Sequence, residues 1–75
     1  MLPIQCKMAR TALGIGVRDL AVMAKVAPGT VARFEAGDEL KQRTIDAMQT
    51  ALEDAGVIFI DTGETAQGYG VTIRP

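Results

Sequence analysis

Few residues of this chain could do covalent or metal chemistry, and those that remain suit electrostatic recognition. The chain has no histidine, so the commonest general base and metal ligand is missing. Cys6 is the single cysteine, which excludes an internal disulfide and a multi-thiolate zinc site. A lone thiol of this kind reads as a small buried hydrophobe instead of a nucleophile. Gly14-Ile15-Gly16 begins like a phosphate loop, but Asp19 stands where the third glycine belongs and no strand precedes it. It reads as a two-glycine turn between helices. No nucleophile–base pair or metal cluster is formed, so the expectation is a non-enzyme without cofactor or metal. What is left is cationic. Residues 1–43 carry Lys7, Arg10, Arg18, Lys25, Arg33, Lys41 and Arg43 against Asp19, Glu35, Asp38 and Glu39. Residues 44–75 carry Arg74 against Asp46, Glu53, Asp54, Asp61 and Glu64, which brings the net charge to −1. This division reads either as a basic binding face with an acidic remainder or as ordinary scatter of few charges.

Those residues must be positioned by a small scaffold. Seventy-five residues make one domain, and a domain near this size buries only about 60–65% of its unfolded surface. Apolar residues are nonetheless 48% of the chain and the mean hydropathy is +0.17, so part of the apolar surface is expected to meet a partner chain. With Phe34, Phe59 and Tyr69 the only aromatics, aliphatic side chains and the methionines Met8, Met23 and Met48 must fill the core or pad an interface. No apolar run approaches the roughly 18–20 residues of a membrane span. Met1–Arg10 lacks the layout of a signal peptide. The expectation is a soluble, cytoplasmic protein that does not enter a membrane.

Local patterns predict four helices and a β tail. Pro3 suits the first helical position, with Gln5 where a capping-box glutamine belongs; Cys6, Ala9 and Leu13 recur at helical spacing, and Gly14 is the stop. Val17–Ala24 reads as a short second helix with Leu20, Ala21 and Ala24 inward, and Lys25-Val26-Ala27 as a tight turn. A third helix is predicted over 28–35, opened by Pro28 and stopped by Gly37. Asp38–Arg43 reads as a polar loop anchored by Leu40. Thr44 is expected to cap a fourth helix carrying Ile45, Met48, Ala51 and Leu52, which Gly56 terminates. The period then changes: Val57–Ile60 and Tyr69–Arg74 read as strands around a turn over 61–68, forming a hairpin or two strands awaiting a partner.

The pattern Ala9-Arg10-x-x-Leu13-Gly14, Asp19-Leu20-Ala21, Ala24, Val26, Thr30-Val31-Ala32-Arg33-Phe34-Glu35 and Gly37 resembles the Cro and phage-repressor (XRE) family. It looks most like small bacterial members with a β-strand tail after the last helix. The resemblance spans Pro3 to Arg74 and is densest from Ala9 to Gly37. It implies a mainly α fold: a four-helix, lambda-repressor-like helix-turn-helix domain over 1–56, followed by a tail over 57–75 in the same compact unit. The helix-turn-helix would span 17–36, with 28–35 as the recognition helix. The major groove, about 12 Å wide, admits one such helix. By resemblance, Arg18, Lys25, Lys41, Arg43 and Thr44 would touch the phosphate backbone, Thr30 and Arg33 would face base edges, and Arg10 and Glu35 would form a partly buried ion pair.

The chain departs from the family where DNA is read. Gly16-Val17 replaces the usual Ser-Gln, Lys25 the turn glycine, and Ala27 the usual capping serine. Pro28 and Gly29, at the first two exposed recognition positions, offer no side-chain hydrogen bond. Only Thr30 and Arg33 remain as readers, with Arg33 able to fork onto guanine. The expected function is therefore a sequence-specific, double-stranded-DNA-binding transcriptional regulator, a repressor-type homodimer. The alternative is a relative with eroded DNA reading that serves as a protein-interaction or antitoxin-like module with a protein partner. The tail is expected to form the dimer interface through Val57, Ile58, Phe59, Ile60, Val71 and Ile73. A strand apolar on both faces wants cover on both, and four short helices can cover only one. The competing arrangement is a hairpin folded onto its own fourth helix.

Overall fold

Pro3 opens the first helix, α1 (Pro3–Leu13), in a computed structural model that describes residues 1–61 and 68–74. The Gln5 Oε1 accepts the Leu2 backbone N–H at 2.8 Å, the half of a capping box that glutamine can supply; Leu2 has no acceptor for the other half. Gln5, Cys6 and Ala9 form the buried seam, and Gly14 ends the helix with φ 71°. Helix α2 (Val17–Ala24) is capped by the Asp19 carboxylate, which accepts the Gly16 N–H at 2.9 Å. Leu20 and Ala21 are its buried face.

The turn after α2 is tight. Lys25 adopts the left-handed conformation, φ 58° and ψ 43°, and the Val26 N–H returns to the Ala21 carbonyl at 3.0 Å. A side chain in that region costs about 1–2 kcal/mol. Val26 then packs against the core.

Two helix starts differ from the sequence-based expectation. The third helix, α3, runs Thr30–Glu35, not 28–35. Ala27 has no side-chain acceptor, Pro28 has no N–H, and Gly29 is a poor helix former, so the segment makes a turn, closed by the Thr30 N–H on the Ala27 carbonyl at 3.0 Å. The α-helical ladder begins only where the Arg33 N–H meets the Gly29 carbonyl at 3.1 Å. The fourth helix, α4, runs Gln42–Asp54, so Thr44 is not its cap. Lys41 holds that position in extended conformation, and the N–H groups of Thr44 and Ile45 both bond its carbonyl. Gln42 and Arg43 are good helix formers, and the Gln42 Nε2 donates to Asp46 one turn on at 2.8 Å, which carries the helix two residues further back. Gly56, at φ 107°, turns the chain out of α4.

The tail is an antiparallel pair, β1 (Val57–Ile60) and β2 (Gly70–Ile73), in the register Val57↔Ile73, Ile58↔Thr72, Phe59↔Val71 and Ile60↔Gly70. Of the turn predicted over 61–68, residues 62–67 lie outside the described residues. The inner face packs on the chain's own helices: Val57 is 2% exposed, and Phe59 and Val71 lie against the core of Leu20, Val31, Phe34, Met48 and Leu52. Val57, expected at an interface between chains, is instead buried in the chain's own core, and Phe59 and Val71 pack partly against that core. The helices cover the inner face completely enough to bury Val57, because α1 and α4 both reach the hairpin. The outer face keeps Ile58 at 47% exposure, with Ile60 half-buried; Ile73, across from Val57 at the sheet's end, is also exposed. Met48 is buried, but Met8 is only half-buried and Met23 is exposed.

Gln5 ties the tail to α1. Its Nε2 donates to the carbonyls of Ile60 at 3.1 Å and Gly70 at 3.2 Å while its oxygen holds the Leu2 N–H. At the other end, the Arg74 N–H donates to the Gly56 carbonyl at 2.8 Å and its Nη2 to the Glu53 carbonyl at 3.0 Å. Among the described residues, no helix is long and apolar enough to cross a membrane, and no group of three or more histidine, cysteine or carboxylate side chains could hold a metal ion.

Candidate nucleic-acid interface

Helix α3 is set in place from one side by its apolar residues and from the other by an ion pair. Val31 and Phe34 are buried, which turns Ala32 and Arg33 outward and leaves Thr30 half-buried at the first turn. Glu35, at the end of α3, accepts two hydrogen bonds from the Arg10 guanidinium of α1, Nε to Oε2 at 2.7 Å and Nη2 to Oε1 at 2.8 Å. The third nitrogen, Nη1, donates to the Ile15 carbonyl at 3.2 Å. The two side chains are only 14% and 12% exposed, so the fork binds α3 to α1 in a largely dry setting. The Arg10 guanidinium holds the Glu35 carboxyl below its ordinary value of 4.5. The Cys6 thiol donates to the same carboxylate at 3.3 Å, and burial, followed by that hydrogen bond, pushes it up to about 12. A thiol that stays protonated is a poor nucleophile, which agrees with the structural reading of Cys6.

The residues expected at DNA occupy three segments. Arg18 lies exposed at the second position of α2, and Lys25 is exposed in the turn. Lys41 and Arg43 are exposed at the start of α4, where Thr44 is half-buried within the first turn. Arg33 stands exposed on α3, and the exposed residues flanking it in sequence are Ala27, Pro28, Gly29, Ala32 and Ala36 before the Gly37 turn and, beyond it, the acidic Asp38 and Glu39. The surface before that turn has so few polar side chains that it can make few hydrogen bonds to base edges, and Arg33 and Thr30 are the two groups there that could.

Two features of this surface are not evident from the sequence pattern. Arg33 is not free: its Nε donates to Asp38 Oδ2 at 3.3 Å, with the side chains 62% and 53% exposed. Gly37, at φ 97°, reverses the chain so that the Asp38 N–H returns to the Arg33 carbonyl at 3.0 Å. The glycine stop was legible; the carboxylate it delivers to Arg33 follows only from the turn geometry. The second feature is an apolar cleft of about 360 Å³ beside Arg18, lined by Ala21, Val22, Val26 and Pro28, with Val22 78% exposed. Val22 lies one helical turn after Arg18, and the turn brings Val26 and Pro28 across from them.

No protein-family model and no curated protein sequence matches this chain.

Proposed function

We propose that the chain is a helix-turn-helix, sequence-specific DNA-binding transcriptional regulator that works as a homodimer. The observation that carries the reading is the surface of α2, the Lys25 turn and α3. Val26, Val31 and Phe34 are spent on the core while Arg18, Lys25 and Arg33 are left in solvent. The Arg10–Glu35 fork supports it, since it joins the two positions where the resemblance to the Cro and phage-repressor family places an ion pair. Arg18, Lys25, Lys41 and Arg43 bind phosphates and fix the register on the duplex without reading sequence. Thr30 and Arg33 supply what direct reading there is. So small a set of readers gives useful specificity only when doubled, and a two-fold dimer addresses two half-sites about one helical turn apart.

Binding to mixed-sequence duplex DNA is expected at low salt and should weaken steeply as salt rises. Four phosphate-bound cations per chain in a dimer give a log–log slope of roughly −7, at about −0.9 per phosphate. Lys41→Ala should weaken all sequences alike and reduce that slope by roughly two, one cation being lost from each chain. A full-length chain that leaves duplex DNA unbound at low salt would refute the proposal.

The dimer is carried by the outer face of the hairpin. The chain's own helices cover the inner face of the sheet, while its outer face leaves Ile58, a large apolar side chain, 47% exposed and both strands with an unpaired edge. Sedimentation equilibrium at micromolar concentration should show a dimer for the full chain and a monomer for Ile58→Asp. A monomeric full-length chain overturns the homodimer.

A second reading, a protein-interaction module with eroded DNA contacts, is favoured by one feature: the apolar cleft of Val22, Val26 and Pro28 beside a helix α3 of only six residues. The salt titration separates the two.

A further inference from the structure

We infer that Asp38 is a positioning residue that presets Arg33 for end-on recognition of a guanine base, an inference that rests on the DNA-binding reading above. The starting point is a pair whose geometry is specific but whose contribution to folding is small. Both side chains are more than half exposed, and exposed ion pairs of this kind add little to stability. Folding alone gives little reason for the pair. Its effect falls on the orientation of Arg33.

An arginine on a short exposed helix is otherwise free to sample many rotamers, which must be lost when it binds. The left-handed Gly37 returns Asp38 to the end of α3, where the Asp38 N–H is fixed on the Arg33 carbonyl and its carboxylate takes the Arg33 Nε. The guanidinium is therefore held by the nitrogen nearest its stem. Its two terminal nitrogens have no partner among the described residues. Two parallel N–H donors presented end-on match the O6 and N7 acceptors of guanine in the major groove. Each of the other bases offers a donor or a single acceptor there, so the fork discriminates.

Among the described residues, Arg33 is also the one exposed cation with a carboxylate partner. Arg18, Lys25, Lys41 and Arg43 have none, as suits phosphate contacts that need charge more than direction.

The test uses the full chain and a randomised duplex library at low salt, with wild type, Arg33→Ala, Asp38→Asn, Asp38→Glu and the Arg33→Ala/Asp38→Asn double variant. Wild type should enrich a guanine at one position of each half-site. Replacing that guanine by 7-deazaguanine, which lacks only the N7 acceptor, should weaken wild type roughly tenfold. Asp38→Asn should bind mixed-sequence duplex at least as tightly, because an acid has gone, yet show a penalty of roughly threefold or less on the 7-deaza duplex. Asp38→Glu should recover part of the penalty. Arg33→Ala should show none, and adding Asp38→Asn to it should change nothing further. An Asp38→Asn protein that folds with an unchanged melting temperature and keeps the full penalty overturns the inference. Wild type that selects a sequence without an N7-dependent guanine overturns the inference alone; wild type without any base preference overturns sequence-specific reading with it, and wild type that binds no duplex overturns DNA binding altogether.

Discussion

Replacing Glu35 by alanine should destabilise the fold by about 2–4 kcal/mol, somewhat below the range for removing one partner of a fully buried ion pair, because both side chains keep some exposure. A domain of 75 residues has about 4–11 kcal/mol in all, so this one change removes a large share of its stability. Three groups lose their acceptor at once: two guanidinium nitrogens of Arg10, in a site that leaves that side chain only 14% exposed, and the Cys6 thiol. Replacing both Arg10 and Glu35 by methionine should recover most of the loss, because the penalty comes from the orphaned charge more than from the absent attraction. The sign of the pH dependence follows from the carboxyl. Its folded-state value is held below 4.5 by the Arg10 hydrogen bonds, so its stabilisation is fully present above that value. It is lost as pH falls from there through the folded value. Urea midpoints taken between neutral pH and pH 3 should drop for wild type across that interval and drop less for the double methionine variant. A Glu35→Ala midpoint equal to wild type at neutral pH would show that the fork contributes nothing net.

Gln5→Leu should cost about 2–4 kcal/mol, and the loss should concentrate in the tail. The glutamine is buried and its amide serves three backbone groups, one N–H and two carbonyls, each worth about 1–3 kcal/mol when left unpaired away from water. Leucine fills the volume but satisfies none of them. Hydrogen exchange should show β1 and β2 losing more protection than α2 and α4, since the variant removes the bond between the hairpin and α1 while leaving the core of Leu20, Met48 and Leu52 intact. Gln5→Glu sharpens the test. A carboxylate can still accept the Leu2 N–H but faces two carbonyl oxygens, so its folded-state value is raised. The resulting penalty is present at neutral pH and relieved as pH falls through that value. Uniform loss of protection across all elements would contradict the assignment of Gln5 as the link to the tail.

The local elements were largely legible because their causes are local. Pro3, Gly14, Gly37 and Gly56 act through their own backbone preferences, and the change of period after Gly56 announces strands whatever the tertiary context. The two misplaced helix starts show the limit of that logic. At Pro28 the expected first turn fails because Ala27 supplies no cap and Gly29 resists the helix. At Thr44 a good capping residue is overridden by two good helix formers before it and a Gln42–Asp46 bond. In both places competing local terms of about 1 kcal/mol decide the boundary, and composition alone does not rank them.

The candidate site divides in the same way. Which cations exist, and that Val26, Val31 and Phe34 must point inward, could be read from residue types and helical spacing. That Arg33 is already paired could not, because its partner is delivered by a left-handed turn beyond the helix end. The sequence by itself determined a small, mainly helical chain with a β tail, its helix stops, its apolar seams and its lack of histidine. Each of these depends on residues within a turn or two of one another. Only the tertiary structure decided that Val57, Phe59 and Val71 serve the chain's own core and that Gln5 holds Ile60 and Gly70. It also decided that Arg10, Glu35 and Cys6 share one carboxylate. The polar partners among them, Arg10 with Glu35 and Gln5 with Gly70, are 25 and 65 residues apart. No local preference encodes such meetings; the packing of α1 against α3 and the hairpin creates them.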